Sequence, residues 1–415
     1  MTSRRMFAFG LFLLTAGAPP AWAQETVKIG AVFPLTGAAA SEGTALRDAI
    51  EVAADIINNP HPELSAMPLG AGAGLPGLGG RKVAVVFGDH QGSPAAAQSQ
   101  VLRLITQEKV VAMTGAYQSS STLTASAIAE RYGVPFVSGE STAPSLTERS
   151  FKWFFRTTPI GGDFGEAYAE FLDQQKGKGI AVKTVALINE NTEYGTSVGD
   201  AIVKALASHG YNVSLRIPYG AASTDVSAQV LQLKQANPEV AIFVSYTSDA
   251  ILFTKTMRTL DWKPAILIGD DSGFSDTAYI AAVSDLAQGI IDRASWDIGK
   301  PGSLSYAVNE LFKKRTGRDM SDTAARGMQG FFVLCDAISR AGSTDPAKIQ
   351  AALKATDLKP NQIIVAYKGV RFNAKGQNEL GSTLLVQLVG KDYVPVWPDA
   401  NAVAVPKLPY VGWEK

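Results

Sequence analysis

Between Val27 and Gly289 short apolar, β-branched runs alternate with helix-period stretches, and the rhythm runs through twice. The first pass carries "VKIGAVF", "KVAVVF", "VVAMTG" and "VPFVSG", and the second, after "FKWFFRTTP", carries "TVALINE", "YNVSLRI", "VAIFVSY" and "AILIGDD". The runs of the first pass do not alternate apolar with polar residues, so they read as parallel strands covered on both faces. Helices are expected at 41–58, 94–108 and 119–132, then starting near Tyr194, Thr224, Ser248 and Ser275. In the first of these, Leu46, Ala49, Ile50, Ala53, Ala54 and Ile57 recur at three and four, as a single buried stripe requires. The fold class is therefore α/β, with two similar open-sheet units in succession.

Beyond Gly289 follow "GIIDRAS", helical stretches at 304–316, 322–341 and 346–356, and strand pieces at 362–372 and 383–389. Residues 59–80, "NPHPELSAMPLGAGAGLPGLGG", are a Gly/Pro-rich loop of unusual length, expected to be a surface insertion. At the N-terminus, Arg4 and Arg5 precede the apolar stretch Phe7–Ala16, and Ala21-Trp22-Ala23 offers a small-x-small cleavage site. Residues 1–23 thus read as an export signal, with "SRRMFAF" also compatible with the twin-arginine route. Its removal takes two arginines from a chain with 38 basic and 38 acidic residues, so 36 − 38 leaves −2. That balance lacks the basic excess of a nucleic-acid-binding surface. No cysteine at the cleavage site invites a lipid anchor, and no second run is long enough to span a bilayer. The expected location is the periplasm. Cys335, the one cysteine, lies in an apolar helical pattern and reads as a core thiol.

In open α/β sheets, ligands bind beyond the carboxyl ends of the strands. Here those ends carry "SEG" with Glu42, "GAYQSSST" with Tyr117, Gln118 and Ser119, and "SGESTAPS" with Glu140, Ser141 and Thr142. The second unit adds "NENTEYG" with Tyr194, "SYTSDA" with Tyr246, and "GDDSG" with Asp270 and Asp271. A hydroxyl tract such as Ser119–Thr122 serves either as a nucleophile or as an anion cradle. A nucleophile needs a base. Of three histidines only His90 follows a strand, and neither H-x-x-x-H nor C-x-x-C spacing occurs, so no metal site or cofactor is expected. Gly72–Gly77 matches G-x-G-x-x-G but precedes its strand, whereas a dinucleotide loop must follow one. Ser197 matches G-x-S-x-G but falls inside a helix start rather than on a tight elbow. Without a base, the hydroxyls read as helix caps and donors for an anion such as a carboxylate. Asp270 and Asp271, adjacent on a strand, are expected to point to opposite faces, one toward the cleft.

Taken in order, "VKIGAVFPLTG…SEG", "GAYQSSST", "ESTAPSLT", "FFRTTP" and "NENTEYG" resemble the periplasmic substrate-binding proteins of ABC importers, of the branched-chain amino acid-binding type. The resemblance implies two Rossmann-like lobes joined by three hinge crossovers, near 158–161, 294–297 and 377–381. It implies a first lobe of residues 24–158 plus 295–378 and a second of 159–294 plus 379–415. It also implies a non-enzymatic monomer that holds a small amino acid or related solute and delivers it to permease subunits in the membrane. A sensory ligand-binding subunit would share this fold and site, and an exported serine hydrolase using Ser197 or Ser119 is the enzymatic alternative. By the same resemblance, Ser119 and Thr142, with Ser141, hold the solute carboxylate, Asp271 its ammonium, and Tyr194 and Tyr246 close over it. Three departures stand out: Glu42 replaces an aromatic, Glu140 replaces a small residue, and Gln118 stands at the place of one member of a cysteine pair. If Glu42 and Glu140 face the cleft, the solute is expected to carry extra cationic or hydroxyl donors, because unpaired buried carboxylates are costly. If they do not, they turn to solvent or pair with Arg156 or another base.

Overall fold

A computed structural model describes residues 25–180 and 182–414. The proposed export signal, 1–23, lies outside them. The first unit runs β1 (Val27–Phe33), α1 (Ala40–Asn58), β2 (Val83–Asp89), α2 (Pro94–Thr106), β3 (Ala112–Gly115), α3 (Ser119–Tyr132), β4 (Phe136–Ser138) and β5 (Phe154–Arg156). Its five strands form one sheet in the order β2-β1-β3-β4-β5, every pair parallel. Local signals set the helix starts: the Ser93 side chain accepts from the Ala96 amide at the head of α2, with Pro94 in the first turn where no N–H is needed.

The second unit follows with α4 (Gly161–Gly177), β6 (Val185–Glu190), α5 (Glu193–Ser208), β7 (Val213–Tyr219), α6 (Ser227–Ala236), β8 (Val240–Val244), α7 (Thr247–Thr259), β9 (Ile266–Gly269), α8 (Ser272–Ser275), α9 (Thr277–Val283) and β10 (Ile291–Ala294). Then come α10 (Leu304–Thr316), α11 (Asp322–Ala341), α12 (Pro346–Lys354), the short pair β11 (Asp357–Leu358) and β12 (Val370–Arg371), and finally β13 (Leu384–Val389) and β14 (Asp392–Trp397). The second sheet is ordered β14-β13-β10-β9-β8-β6-β7. Its interior strands are parallel, while β13 and β14 join antiparallel at one edge.

Two lobes result. α11, capped by Ser321, is buried along nearly its whole length and packs with α1 into the core under the first sheet. Thus the chain leaves the first sheet after Arg156, returns to the first core after Ala294, and re-enters the second sheet at Leu384. Cys335 lies in that core with its thiol pushed well up by burial. The expected strand at 362–372 shrinks to Val370–Arg371, while α4, β5 and the Pro395-bearing β14 are elements that the periodicity did not single out.

The 59–80 segment corrects the expectation of a surface insertion. Leu64, Met67, Leu69 and Leu75 are buried in the first core. Gly77 presses so closely on α11 that a Cβ there would stand 1.7 Å from the Ser339 carbonyl oxygen, and its amide donates to Ser339 Oγ at 3.1 Å.

Candidate functional site

Three loops of the first lobe converge at the carboxyl ends of β1, β3 and β4. Ser119, Ser141 and Thr142 are each 1% exposed. Ser141 Oγ donates to the Tyr117 carbonyl at 2.9 Å and shares a 2.6 Å bond with Thr122 Oγ1, which also accepts from the Ala116 amide. Ser119 Oγ accepts from the Ala143 amide at 3.3 Å. The serine tract therefore ties the loop after β3 to the loop after β4. The expected hydroxyl cap is corrected: Gln118 is the N-cap residue of α3, and it makes no side-chain cap bond. Its amide group turns toward Gly92 in the loop after β2.

Two buried cationic or basic side chains hold these loops. Arg156 donates to the carbonyls of Ala143 at 2.6 Å and Ser141 at 3.3 Å, to Thr147 Oγ1 at 2.8 Å, and to Gln377 Oε1 at 2.6 Å. Burial lowers its pKa to about 9. It pairs with neither Glu42 nor Glu140. His90 lies between the Ala116 carbonyl, 2.9 Å from Nε2, and the Gly92 amide, which donates to Nδ1 at 3.1 Å. Burial lowers its pKa as well, so this imidazole is a neutral brace for the loop rather than a base for Ser119.

From the second lobe come the loops after β6, β8 and β9. The strand ends at Gly269, and Asp271 has φ 58°, outside the extended region. The alternation argument for Asp270 and Asp271 therefore does not apply, and both carboxylates are fully buried. Asp270 accepts from the hydroxyls of Tyr168 and Tyr194, the latter at 2.9 Å. Tyr246 packs between Tyr194, at 5.2 Å between ring centroids, and Tyr117 of the first lobe, at 5.9 Å. All three phenols have pKa values pushed well up, chiefly by burial.

Asp271 meets two arginines. Arg326 Nη2, from α11, lies 2.6 and 2.7 Å from its two oxygens, and Arg293 of β10 pairs with it from the other side. Arg326 also donates to Asp322 Oδ2 at 2.7 Å, Thr158 Oγ1 at 3.0 Å and the Glu140 carbonyl at 3.1 Å. It is thus a hub linking first-lobe loop, crossover and second lobe. Burial opposes its charge, but Asp271 and Asp322 outweigh that and raise its pKa. The Arg293 guanidinium lies 3.9 Å from the centre of the Phe164 ring, a cation–π contact where water is excluded. Further contacts across the lobes join Ser41 Oγ to Asp276 at 3.0 Å and Ser145 Oγ to Glu193 at 2.5 Å.

Glu42 and Glu140 are both buried, at 1% and 3% exposure. Glu42 Oε2 accepts from Ser321 Oγ at 3.3 Å and Glu140 Oε2 from Ser138 Oγ at 3.4 Å, whereas each Oε1 has no partner among the described residues. Burial raises the Glu42 pKa well up, reinforced by Asp276 and Asp271. Burial brings Glu140 to about 7.

Tyr117, Tyr246 and Tyr194 thus stack across the two lobes, with Glu42 and Asp271 close enough to Tyr117 to act on its phenol, while Ser119, Ser141 and Thr142 are buried in the first lobe, Ser141 bonded to the Tyr117 carbonyl. Arg326, Arg293, Asp322 and Asp276 are additions. A signal for two of them was present: Arg326 interrupts the apolar face of "AARGMQGFFVLC", and Arg293 interrupts "GIIDRAS". A charge on an otherwise buried face implies a buried partner. Among the described residues no cluster of His, Cys, Asp and Glu is arranged to hold a metal ion.

The periplasmic binding protein family matches residues 26–387. A Leu/Ile/Val-binding protein homolog 7 of Brucella suis biovar 1 (strain 1330) is 28% identical over 422 residues, covering 98% of this chain and 99% of the relative. A homolog 8 of Brucella abortus (strain 2308) is 27% identical over 389 residues, covering 91% and 92%. Among solved structures, a leucine-binding protein, LivK, of Thermotoga maritima MSB8 superposes with TM-score 0.75 at 22% identity, covering 89% of this chain and 97% of that one. A benzoate-bound solute-binding protein of an ABC transporter from R. palustris gives 0.74 at 17% identity, covering 92% and 99%.

Proposed function

We propose that this chain, which belongs to the periplasmic binding protein family, captures a small carboxylate-bearing solute between its lobes and delivers it to the membrane subunits of an ABC permease. The family binds solutes and leaves them chemically unchanged. The observation that carries the reading is the meeting of two unlike walls. The first-lobe loops carry the buried hydroxyls of Ser119 and Thr142, and the second lobe brings Tyr194, Tyr246 and the acid Asp271 against Tyr117 of the first, which supports the reading. Contacts from both lobes favour the closed form when a solute fills the space between them. Relatives named for leucine, isoleucine and valine, and neighbours bound to isoleucine or benzoate, share a carboxylate in their ligands, which supports that class.

In this reading the Ser119 and Thr142 hydroxyls grip the carboxylate, with Ser141 fixing the loops around them, and the tyrosines close over the solute. An ammonium joins the two arginines on Asp271, whose oxygens together offer about four acceptor directions. The unpartnered Oε1 atoms of Glu42 and Glu140 are acceptors for further N–H or O–H donors on the solute. The lobes comprise 24–158 with 295–378 and 159–294 with 379–415, a division that the strand orders support. Residues 1–23 export a monomer to the periplasm and are then removed.

The test is mass spectrometry of the solute released on denaturing the purified protein, followed by calorimetric titration of that solute into wild type, Ser119→Ala and Glu42→Gln. The expected outcome is a carboxylate whose binding Ser119→Ala weakens about tenfold, the worth of a hydrogen bond to a charged group. A solute without a carboxylate, or one bound equally by Ser119→Ala, overturns the assignment. Unchanged selectivity in Glu42→Gln removes the donor-bearing refinement alone.

A further inference from the structure

Glu42 lies in the first turn of α1, where the first lobe meets the second. Its neighbour Ser41 donates across the lobes to Asp276 Oδ1 at 3.0 Å. Asp276, at the head of α9, also accepts from Thr247 Oγ1 at 2.8 Å and from the Ala278 amide at 2.9 Å. The titratable groups that face Glu42 among the described residues are Asp276 and Asp271 from the second lobe, Arg326 from α11, and the Tyr117 phenol from the loop after β3. Arg326 is the cation of this set, and it is engaged by Asp271 and Asp322. Glu42 itself is buried. Its Oε2 accepts from Ser321 Oγ at 3.3 Å, and its Oε1 has no partner among the described residues.

Contact between the lobes therefore sets two acids of one against a carboxyl of the other, out of water. An ionised Glu42 in that place has an unpaired oxygen in a dry interface and like charges beside it, and both disfavour the charge. Burial first, then Asp276 and Asp271, lift its pKa well above the ordinary 4.5. A proton on Oε2, beside Ser321 Oγ, removes the charge and leaves Oε1 an acceptor. When the lobes part, Asp276 and Asp271 leave with the second lobe, and the carboxyl returns toward its ordinary range. The closed and open forms thus differ by a proton on Glu42.

We propose that Glu42 is a proton switch for lobe closure: uncharged, it lets the Ser41–Asp276 contact form, and charged, it holds the lobes apart. Glu42 stands where the family resemblance places an aromatic residue, so the device is a property of this chain. A group that is protonated in the closed form and ionised in the open one favours closure as pH falls. The ratio of closed to open protein is expected to rise up to about tenfold for each unit of decrease, with one proton taken up on closing.

Small-angle X-ray scattering of the mature protein, freed of bound solute by unfolding and refolding, reads closure as the radius of gyration at pH 8 and pH 5.5. Wild type is expected to be the more compact at pH 5.5. Glu42→Gln, which keeps the shape of the neutral acid, is expected to be compact at both. His209→Gln removes a histidine whose bonds to Asp173 and Glu166, within the second lobe, raise its pKa. It is expected to shift as wild type does. Circular dichroism verifies that each variant is folded. Four results overturn the switch: a wild-type radius equal at the two pH values, a shift retained in Glu42→Gln, a Glu42→Gln protein open at both, or a shift lost in His209→Gln. No solute enters the measurement, so any of these leaves the carboxylate reading of the first site in place.

Discussion

Arg326 Nη2 sits 2.6 and 2.7 Å from the two oxygens of Asp271, joining a helix of one lobe's core to a loop of the other, with both side chains wholly buried. Removing one partner of a buried pair strands the other charge without water. Asp271→Asn is therefore expected to lower the free energy of unfolding by about 3 kcal/mol, and Arg326→Met by a comparable amount. Urea denaturation with a fixed m-value measures both. An unchanged midpoint in either variant refutes the role of this pair in stability.

The Glu140 carboxyl titrates near 7 because burial disfavours its charge. Its ordinary value is 4.5, so between 4.5 and 7 the folded protein keeps a proton that the unfolded chain has released. The contribution is fully present below 4.5, is lost as pH rises toward 7, and stays lost above. Its full extent is about 3 kcal/mol. Glu140→Gln is expected to flatten this part of the pH–stability curve, gaining on wild type at pH 8 relative to pH 5. Thermal unfolding at the two pH values reads the difference, and parallel curves exclude Glu140 as its source.

Arg156 holds the carbonyls of Ser141 and Ala143 and so shapes the loop that carries Thr142. Arg156→Met leaves those buried acceptors unpaired, at a cost of about 3 kcal/mol in stability. Solute affinity is expected to fall about tenfold even though Arg156 is read as touching no solute. Affinity equal to wild type in the folded variant contradicts this positioning role.

Gly77 permits the 59–80 segment to lie on α11. Gly77→Ala is expected to lift the segment off the core and expose Leu64, Met67 and Leu75. Limited proteolysis followed by N-terminal sequencing reports it as new cleavage within 59–80. Resistance equal to wild type argues that the segment is held elsewhere.

The open-sheet architecture was legible because buried parallel strands leave a dense sequence signal. β8 is an uninterrupted apolar run and β1 and β6 are nearly so, and α1, α10 and α11 have the helical period, within a residue of their observed ends. What escaped has physical reasons. Pro395 masks β14, which tolerates it at the sheet edge, and β5 is only three residues long. The loops bearing Ser119, Ser141, Thr142 and Tyr194 were found because they follow strands. The arginines that hold Asp271 were not, because they come from β10 and α11, far away in sequence. Sequence spacing carries no information on such a pairing. Asp271 also lies just past its strand, with a positive φ that a two-residue period does not foresee.

Because α11 supplies the helix against which α1 packs, the amino-terminal core cannot be finished until residues beyond 322 have emerged and folded back. During synthesis, the α1 stripe from Leu46 to Ile57 therefore spends its early life without its cover. A chain so ordered completes its first core through long-range closure, the slower kind of contact to form.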